Sequence, residues 1–287
     1  MKNTEASFSR RDFLVAGGLA AGAGAGQTGP RRKVPVVDCH THLGHATMLT
    51  APWTAIADPE ELLRRNKEAG IDKACIFPIS HGPEAGGLPS DTYERPNVEI
   101  AEIVRHYSGR FIGYAKHDPV HEKGRIRAML LHEVRDLGLR GLKLHTAPTA
   151  EVLDTVTELQ IPIIWHPRQV SMFDEVARAY PGVDLILAHL GSDHSRNWRE
   201  HLAAIEMARR YPNVYLDTGA HMLTSYLELA LKELSPGKII FGSDEPEVDC
   251  RLEIFKIRML KLPPEQEELI LGGNLSNLLG KYKGGVL

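Results

Sequence analysis

Eight short runs rich in Val, Ile, Leu and aromatic residues recur along the chain, separated by stretches with helical start and stop signals. The runs are 34–40, 73–77, 111–115, 141–145, 162–165, 184–188, 214–217 and 238–241. None alternates polar with apolar, the pattern of strands buried on both faces in a parallel sheet. Between them, Asp58-Pro59-Glu60-Glu61 supplies an N-cap, a proline at the first helical position and early carboxylates, and Gly70 a stop. Ser171-Met172-Phe173-Asp174 opens another helix, and 195–210 reads as a third. Strand and helix alternating eight times predict an α/β fold, a single-domain (β/α)8 TIM barrel.

The 287 residues exceed the roughly 250 that such a barrel needs, and the excess lies at the amino end. Ser9-Arg10-Arg11-Asp12-Phe13-Leu14, followed by an Ala/Gly/Leu run to Ala25, resembles a twin-arginine export signal. Ala-x-Ala pairs at Ala21/Ala23 and Ala23/Ala25 offer cleavage sites. The expected organisation is a signal peptide over 1–25, a polar tether over 26–33 and the barrel over 34–287. Export machinery is then a partner and the periplasm of a bacterium the destination. The apolar run is too short and Gly-rich to span a bilayer, and no cysteine follows it to carry a lipid, so no stable membrane anchor is expected.

Composition narrows the partners. With 34 Lys and Arg against 37 Asp and Glu, the chain has no basic excess for binding nucleic acid. Three cysteines cannot build a disulfide framework; they read as buried thiols, with Cys39 facing outward toward the helices because it lies between two inward residues. Fourteen histidines make metal chemistry worth seeking.

Barrel chemistry gathers at the C-terminal ends of the strands. The first run ends in Asp38-Cys39-His40-Thr41-His42, whose two histidines share one strand face. The fifth ends in Trp165-His166-Pro167, the sixth in Ala188-His189-Leu190 and the eighth in Gly242-Ser243-Asp244-Glu245. Three neutral nitrogens and one carboxylate oxygen from these ends suit Zn²⁺, with room for water.

These motifs, with Gly138-Leu139-Arg140-Gly141-Leu142-Lys143-Leu144-His145 and the closing Ile270-Leu271-Gly272-Gly273-Asn274-Leu275, resemble the amidohydrolase-related group (amidohydrolase 2) of the metal-dependent amidohydrolase superfamily. The match runs from about Val34 to Leu279. The resemblance implies one divalent metal, zinc first, held by His40, His42, His166 and Asp244, with His189 as acid/base or carbonyl polariser. It implies a hydrolase in which an activated water attacks an amide, lactone or ester carbonyl while Asp244 accepts the proton. The alternative it implies is a non-oxidative decarboxylase of aromatic or muconate-type acids using the same shell. Lys143 ends the fourth strand, where some binuclear relatives carry a carbamylated lysine bridging two metals; it reads equally as a cation for a substrate carboxylate or a structural ion-pair partner. A nuclease with the same opening would carry glutamate at that position. A ligand-binding barrel without catalysis is disfavoured by the full set of site residues. A homodimer is expected from the resemblance alone.

His145, Arg168 and His81 join Lys143 as candidate substrate contacts, His81 within a Gly/Pro-rich loop that could cover the mouth. His117 and Asp118 end the third run, where pocket contact and capping are equal readings. Asp217 and His221 flank the end of the seventh, the aspartate as a supporting group. His106, His121, His132 and His201 are expected at the surface.

Overall fold

A computed structural model describes residues 34–45, 56–79 and 93–281. The expected signal peptide, the tether and His81 lie outside the described residues. Residues 34–287 form one compact unit.

The strands among the described residues are β1 (Val37–His45), β2 (Ile56–Ala57), β3 (Lys73–Pro78), β4 (Phe111–Gly113), β5 (Ala115–Lys116), β6 (Leu142–Leu144), β7 (Ile163–Trp165), β8 (Leu185–Leu187), β9 (Val214–Asp217) and β10 (Ile239–Ile240). All pairings are parallel except β2 on β1, and they run in two arcs, β2-β1-β3-β4 and β5 through β10. The arcs meet at Tyr114, inside the third run, which the sequence presented as one strand. Its N–H reaches back to Ile76 O at 2.9 Å, while the next N–H, of Ala115, reaches forward to Gly141 O at 2.9 Å. One strand position thus serves two neighbours. At the other seam Cys39 N–H donates to Phe241 O (3.0 Å) and His42 N–H to Glu245 O (2.7 Å), joining first strand to last. The result is a (β/α)8 barrel.

The helices that separate the strands are α1 (Pro59–Ala69), α2 (Glu94–His106), α3 (Ile126–Arg135), α4 (Ala150–Leu159), α5 (Met172–Ala179), α6 (Trp198–Arg210), α7 (Thr224–Glu233) and α8 (Cys250–Met259), followed by α9 (Pro264–Glu268) and α10 (Asn274–Gly280). In α1 the Asp58 carboxylate accepts from Glu60 and Glu61 N–H, and Gly70 ends the helix at φ 76°, where a side chain would be strained. The helix expected over 195–210, α6, begins at Trp198 rather than at position 195, because Asn197 provides the cap and Ser195 sits at φ 52°.

Two layers of core follow from strand alternation. Leu142, Leu144, Ile163, Trp165, Leu185 and Leu187 face the helices, whereas Ile112, Ile164, Ile186 and Ile240 fill the interior with Leu275, Leu278 and Leu279 of α10. Gly272, just before α10, lies so close to Pro35 O that a Cβ would fall 1.9 Å from it, which seats α10 under the N-terminal end of β1. Cys39 belongs to the interior layer, contrary to the outward orientation expected from simple alternation. The cause is a register shift: Asp38 pairs with Ala74 but Thr41 with Ile76, so β1 carries one residue more than β3 across that interval. His201 is also corrected from surface to core. It falls on the buried face of α6 with Ala204, Ile205 and Ala208, and bonds Leu190 O (Nδ1, 2.8 Å) and Ser195 Oγ (Nε2, 2.9 Å).

Candidate metal centre and active site

The extra residue in β1 lets His40 and His42 both crown the interior above Cys39. His40 is fully buried, and its two ring nitrogens meet different partners. Its Nδ1 donates to Asp217 Oδ2 at 2.5 Å, which leaves Nε2 with a lone pair. Gly242 makes room for this contact, since a Cβ there would lie 2.2 Å from Asp217 Oδ1. From the other side Asp38 Oδ1 accepts from the N–H groups of both His40 and Ser243 at 3.0 Å, locking the end of β1 to the segment carrying Asp244.

Asp244 Oδ1 stands 3.2 Å from His40 Nε2 and 3.3 Å from His42 Nε2, and its Oδ2 lies 4.0 Å from His189 Nδ1. Burial and the neighbouring Lys143 ammonium hold His40 well below the usual imidazole range, and burial does the same to His189, so both are neutral. Burial, reinforced by the charge of Glu247, pushes the Asp244 carboxyl well above its usual range. Imidazole nitrogens and carboxyl oxygens thus gather around one point, a donor set that a divalent cation could use. Ligands about 2.0–2.1 Å from a tetrahedral ion lie roughly 3.3 Å apart, which is the spacing these atoms already have. Donor atoms of His40, His189 and Asp244 all fall within 4.8 Å of one another, a group that fits a divalent metal; His189 is in it, and the expected ligand His166 is not, lying beside His189 instead.

The backbone supports this placement at a cost. Asp244 has φ 68° and His189 φ 58°, the left-handed region that residues with side chains seldom enter and that costs on the order of 1 kcal/mol or more each. The His189 Nδ1–H donates to Gly219 O at 3.1 Å, leaving its Nε2 as an acceptor.

The remaining histidines form a chain of rings. His166 packs 4.6 Å from His189, centroid to centroid, and 5.4 Å from His145, which in turn lies 6.4 Å from His42. The His166 side chain keeps 28% of its surface, with Nε2 4.0 Å from Asp193 Oδ1. His145 thus belongs to the cluster, while Arg168 is exposed. Lys143 is fully buried, donates to His40 Nε2 at 2.8 Å and lies over Phe77. Burial lowers its pKa to about 8. His117 is drawn instead into a buried clamp between Glu122 and Glu133, and His221 packs against Lys256 behind β9.

Lys116 escapes a reading of apolar runs because it is the charge that ends one. Its position two residues after Tyr114 and four after Ile112, both interior, was the available signal.

A family model described as Amidohydrolase matches residues 37–280. No curated protein matches the chain by sequence. Among solved structures, the chain is similar to the 2,6-dihydroxybenzoate decarboxylase of Rhizobium, at 16% identity and TM-score 0.68, covering 86% of this chain and 99% of that one. It is similar to a dihydroxybenzoic acid decarboxylase of Polaromonas with bound manganese and the inhibitor 2-nitroresorcinol (19%, TM-score 0.65, 86% and 97%). It is also similar to a Pseudomonas putida protein named as a candidate 2-pyrone-4,6-dicarboxylic acid hydrolase (18%, TM-score 0.66, 86% and 98%). At these identities the likeness establishes the barrel and not the reaction. With the family model spanning nearly the whole barrel, the chain belongs to the amidohydrolase family of metal-dependent enzymes.

Proposed function

We propose that the chain is a metal-dependent hydrolase of an amide, lactone or ester carbonyl. The observation that carries this is the buried Asp244 carboxylate, set against two imidazole nitrogens on one oxygen and His189 on the other. His40, His42, His166 and Asp244 would hold a divalent ion, zinc being the best match to three nitrogens and one oxygen. When bound, such an ion polarises a carbonyl and brings the pKa of water toward 7. Asp244 accepts the proton of the attacking water. His189, neutral and tethered to Gly219 O, takes part in passing a proton to the leaving group. Asp217 holds His40 in the tautomer that keeps Nε2 unprotonated.

Decarboxylation is the second reading, favoured by the buried Lys143 ammonium beside His40, a cation placed to hold a carboxylate. Four of the structural neighbours are named as decarboxylases. The deciding experiment is metal analysis of the purified protein with a panel of lactones, N-acyl compounds, esters and aromatic carboxylates, following CO₂ separately. Hydrolysis without CO₂ supports the first reading; CO₂ as product with no hydrolysis overturns it. Two metal equivalents would give Lys143 the bridging role. We further propose export by the twin-arginine route, on the order of parts in residues 9–25; an intact Met1 on protein recovered from a bacterial periplasm would overturn signal cleavage.

A further inference from the structure

The turn that follows β9 holds two histidines of the site from behind. Asp217 Oδ2 accepts from His40 Nδ1–H, and Gly219 O accepts from His189 Nδ1–H at 3.1 Å. Asp217 Oδ1 also accepts from Gly219 N–H at 2.7 Å, which ties the two acceptors into one unit. Gly219 lies flat against the neighbouring strand end, since a Cβ there would come within 3.1 Å of the Ser243 carbonyl carbon and 3.2 Å of Asp244 N. The position of this turn therefore bears on His40, His189 and Asp244 together. Strand pairing does not fix it, because β9 ends at Asp217. Ala220 stands at φ 51°, a left-handed conformation that persists only where surrounding contacts impose it.

The contact that imposes it comes from α8. Lys256 lies on the buried face of that helix with Glu253 and Ile257. Its Nζ donates to Thr218 O and to His221 O, each at 3.0 Å, the carbonyls on either side of Gly219 and Ala220. Glu253 Oε2 meets the same Nζ at 2.5 Å and anchors it. Thr218 O also accepts from His221 Nδ1–H at 2.7 Å, and Thr218 Oγ1 accepts from Gly242 N–H at 3.2 Å. Burial lowers the Lys256 pKa while the Glu253 carboxylate counters it. Amine and ammonium alike carry the two N–H donors that these carbonyls take. Those donors are what an apolar side chain at this position would lack.

We propose that Lys256 is a positioning residue for the metal centre: by clasping the turn over 218–221 it sets the Asp217 carboxylate and the Gly219 carbonyl, and through them the tautomers of His40 and His189. It acts at one remove, from the helix layer outside the barrel. The inference rests on the metal-dependent reading for what the two histidines do, but its test needs no turnover.

The test is a double-mutant cycle in zinc affinity on the full chain, read by competition with a chromogenic chelator. Lys256→Met is expected to weaken zinc by about tenfold, the lower end of what losing a group behind a ligand does. Asp217→Asn combined with Lys256→Met is expected to fall well short of the product of the two single losses, because the lysine acts through the aspartate. A lysine that only stabilises the fold would give independent losses that multiply. Multiplying losses, or unchanged affinity in folded Lys256→Met, overturn the role. Should Lys256→Met not fold, Glu253→Gln with Lys256→Met removes both buried charges and enters the same cycle in its place. The ring ¹⁵N shifts of His189, assigned with His189→Gln in the zinc-loaded chain, give a second readout. Wild type is expected to carry the proton on Nδ1 and Lys256→Met to mix the two tautomers; an unmixed ring overturns the role. Failure of all hydrolysis with the coupling intact overturns the hydrolase reading and leaves Lys256 standing. Hydrolysis with multiplying losses does the reverse.

Discussion

The imidazole of His40 has each nitrogen committed to a different task. Its Nδ1–H is held by Asp217 Oδ2 at 2.5 Å, so the tautomer is fixed with Nε2 bare toward Asp244 and Lys143. Carboxylates in this position orient a ligand and raise its basicity, and their loss typically lowers metal affinity about 10- to 100-fold. Asp217→Asn is therefore expected to weaken metal binding by that order while preserving the fold, as read by competition with a chromogenic chelator. Undiminished affinity would show that Asp217 only fills space. His166 and His189 pose a sharper contrast, because their rings pack 4.6 Å apart and His189 lies within 4.7 Å of the His40 ring. His166→Ala is expected to lose metal. His189→Ala is expected to keep it and to lose turnover by about 10²- to 10⁴-fold, the usual share of a general acid/base. Retention of metal by the first and loss by the second would exchange their roles.

Elements show where sequence reasoning reaches its limit. Period-2 alternation correctly set His40 and His42 on one face, yet it turned Cys39 the wrong way, since a register shift between paired strands leaves no mark on a single strand's pattern. The apolar-run criterion found all eight strand positions and lost Lys116, for the same reason that it found the others. His201 was legible in principle, spaced three, four and seven residues from Ala204, Ile205 and Ala208, but its polarity outweighed its phase. Lys143 and Asp244 were marked by their motifs, while the Asn97–Glu133–His117–Glu122 circuit joins α2, α3 and the turn between β5 and α3, pairings that one sequence does not encode locally. That circuit gives a measurable signature. Burial alone would lower the His117 pKa, but Glu133 and Glu122 outweigh it and raise the value from 6.5 to about 9. A pKa raised on folding stabilises fully below the unfolded value and is lost as pH rises through the folded one. The clamp is thus at full strength below about pH 6.5 and gone above about pH 9, a swing on the order of a few kcal/mol. Urea unfolding of wild type and His117→Gln should converge in stability across that window. Parallel pH profiles would show that the imidazolium contributes no net stability.

Across the whole barrel, the proposed ligands are distributed so that the metal closes what the backbone closes least. His40 and His42 come from β1, Asp244 from the segment after β10, and His166 from beyond β7 on the opposite side. The seam between first and last strands is carried by a handful of hydrogen bonds, those from Cys39, His42 and Asp244 N–H among them, and by one parallel bridge from Thr41 to Glu245. An ion bound by both sides of that seam adds a cross-link that the unfolded chain lacks, and anything bound only by the native state stabilises by mass action. At a metal concentration a thousandfold above Kd this amounts to about 4 kcal/mol, on the order of 10 °C in Tm for a barrel of this size. Chelation should therefore lower Tm by roughly that amount. Amide exchange should quicken first at His42 and Asp244, before the N–H groups of α4 and α5, which face no ligand. Uniform acceleration over the barrel would mean that the ion stabilises the fold without tying its seam, and an unchanged Tm would mean that these side chains hold no structural metal at all.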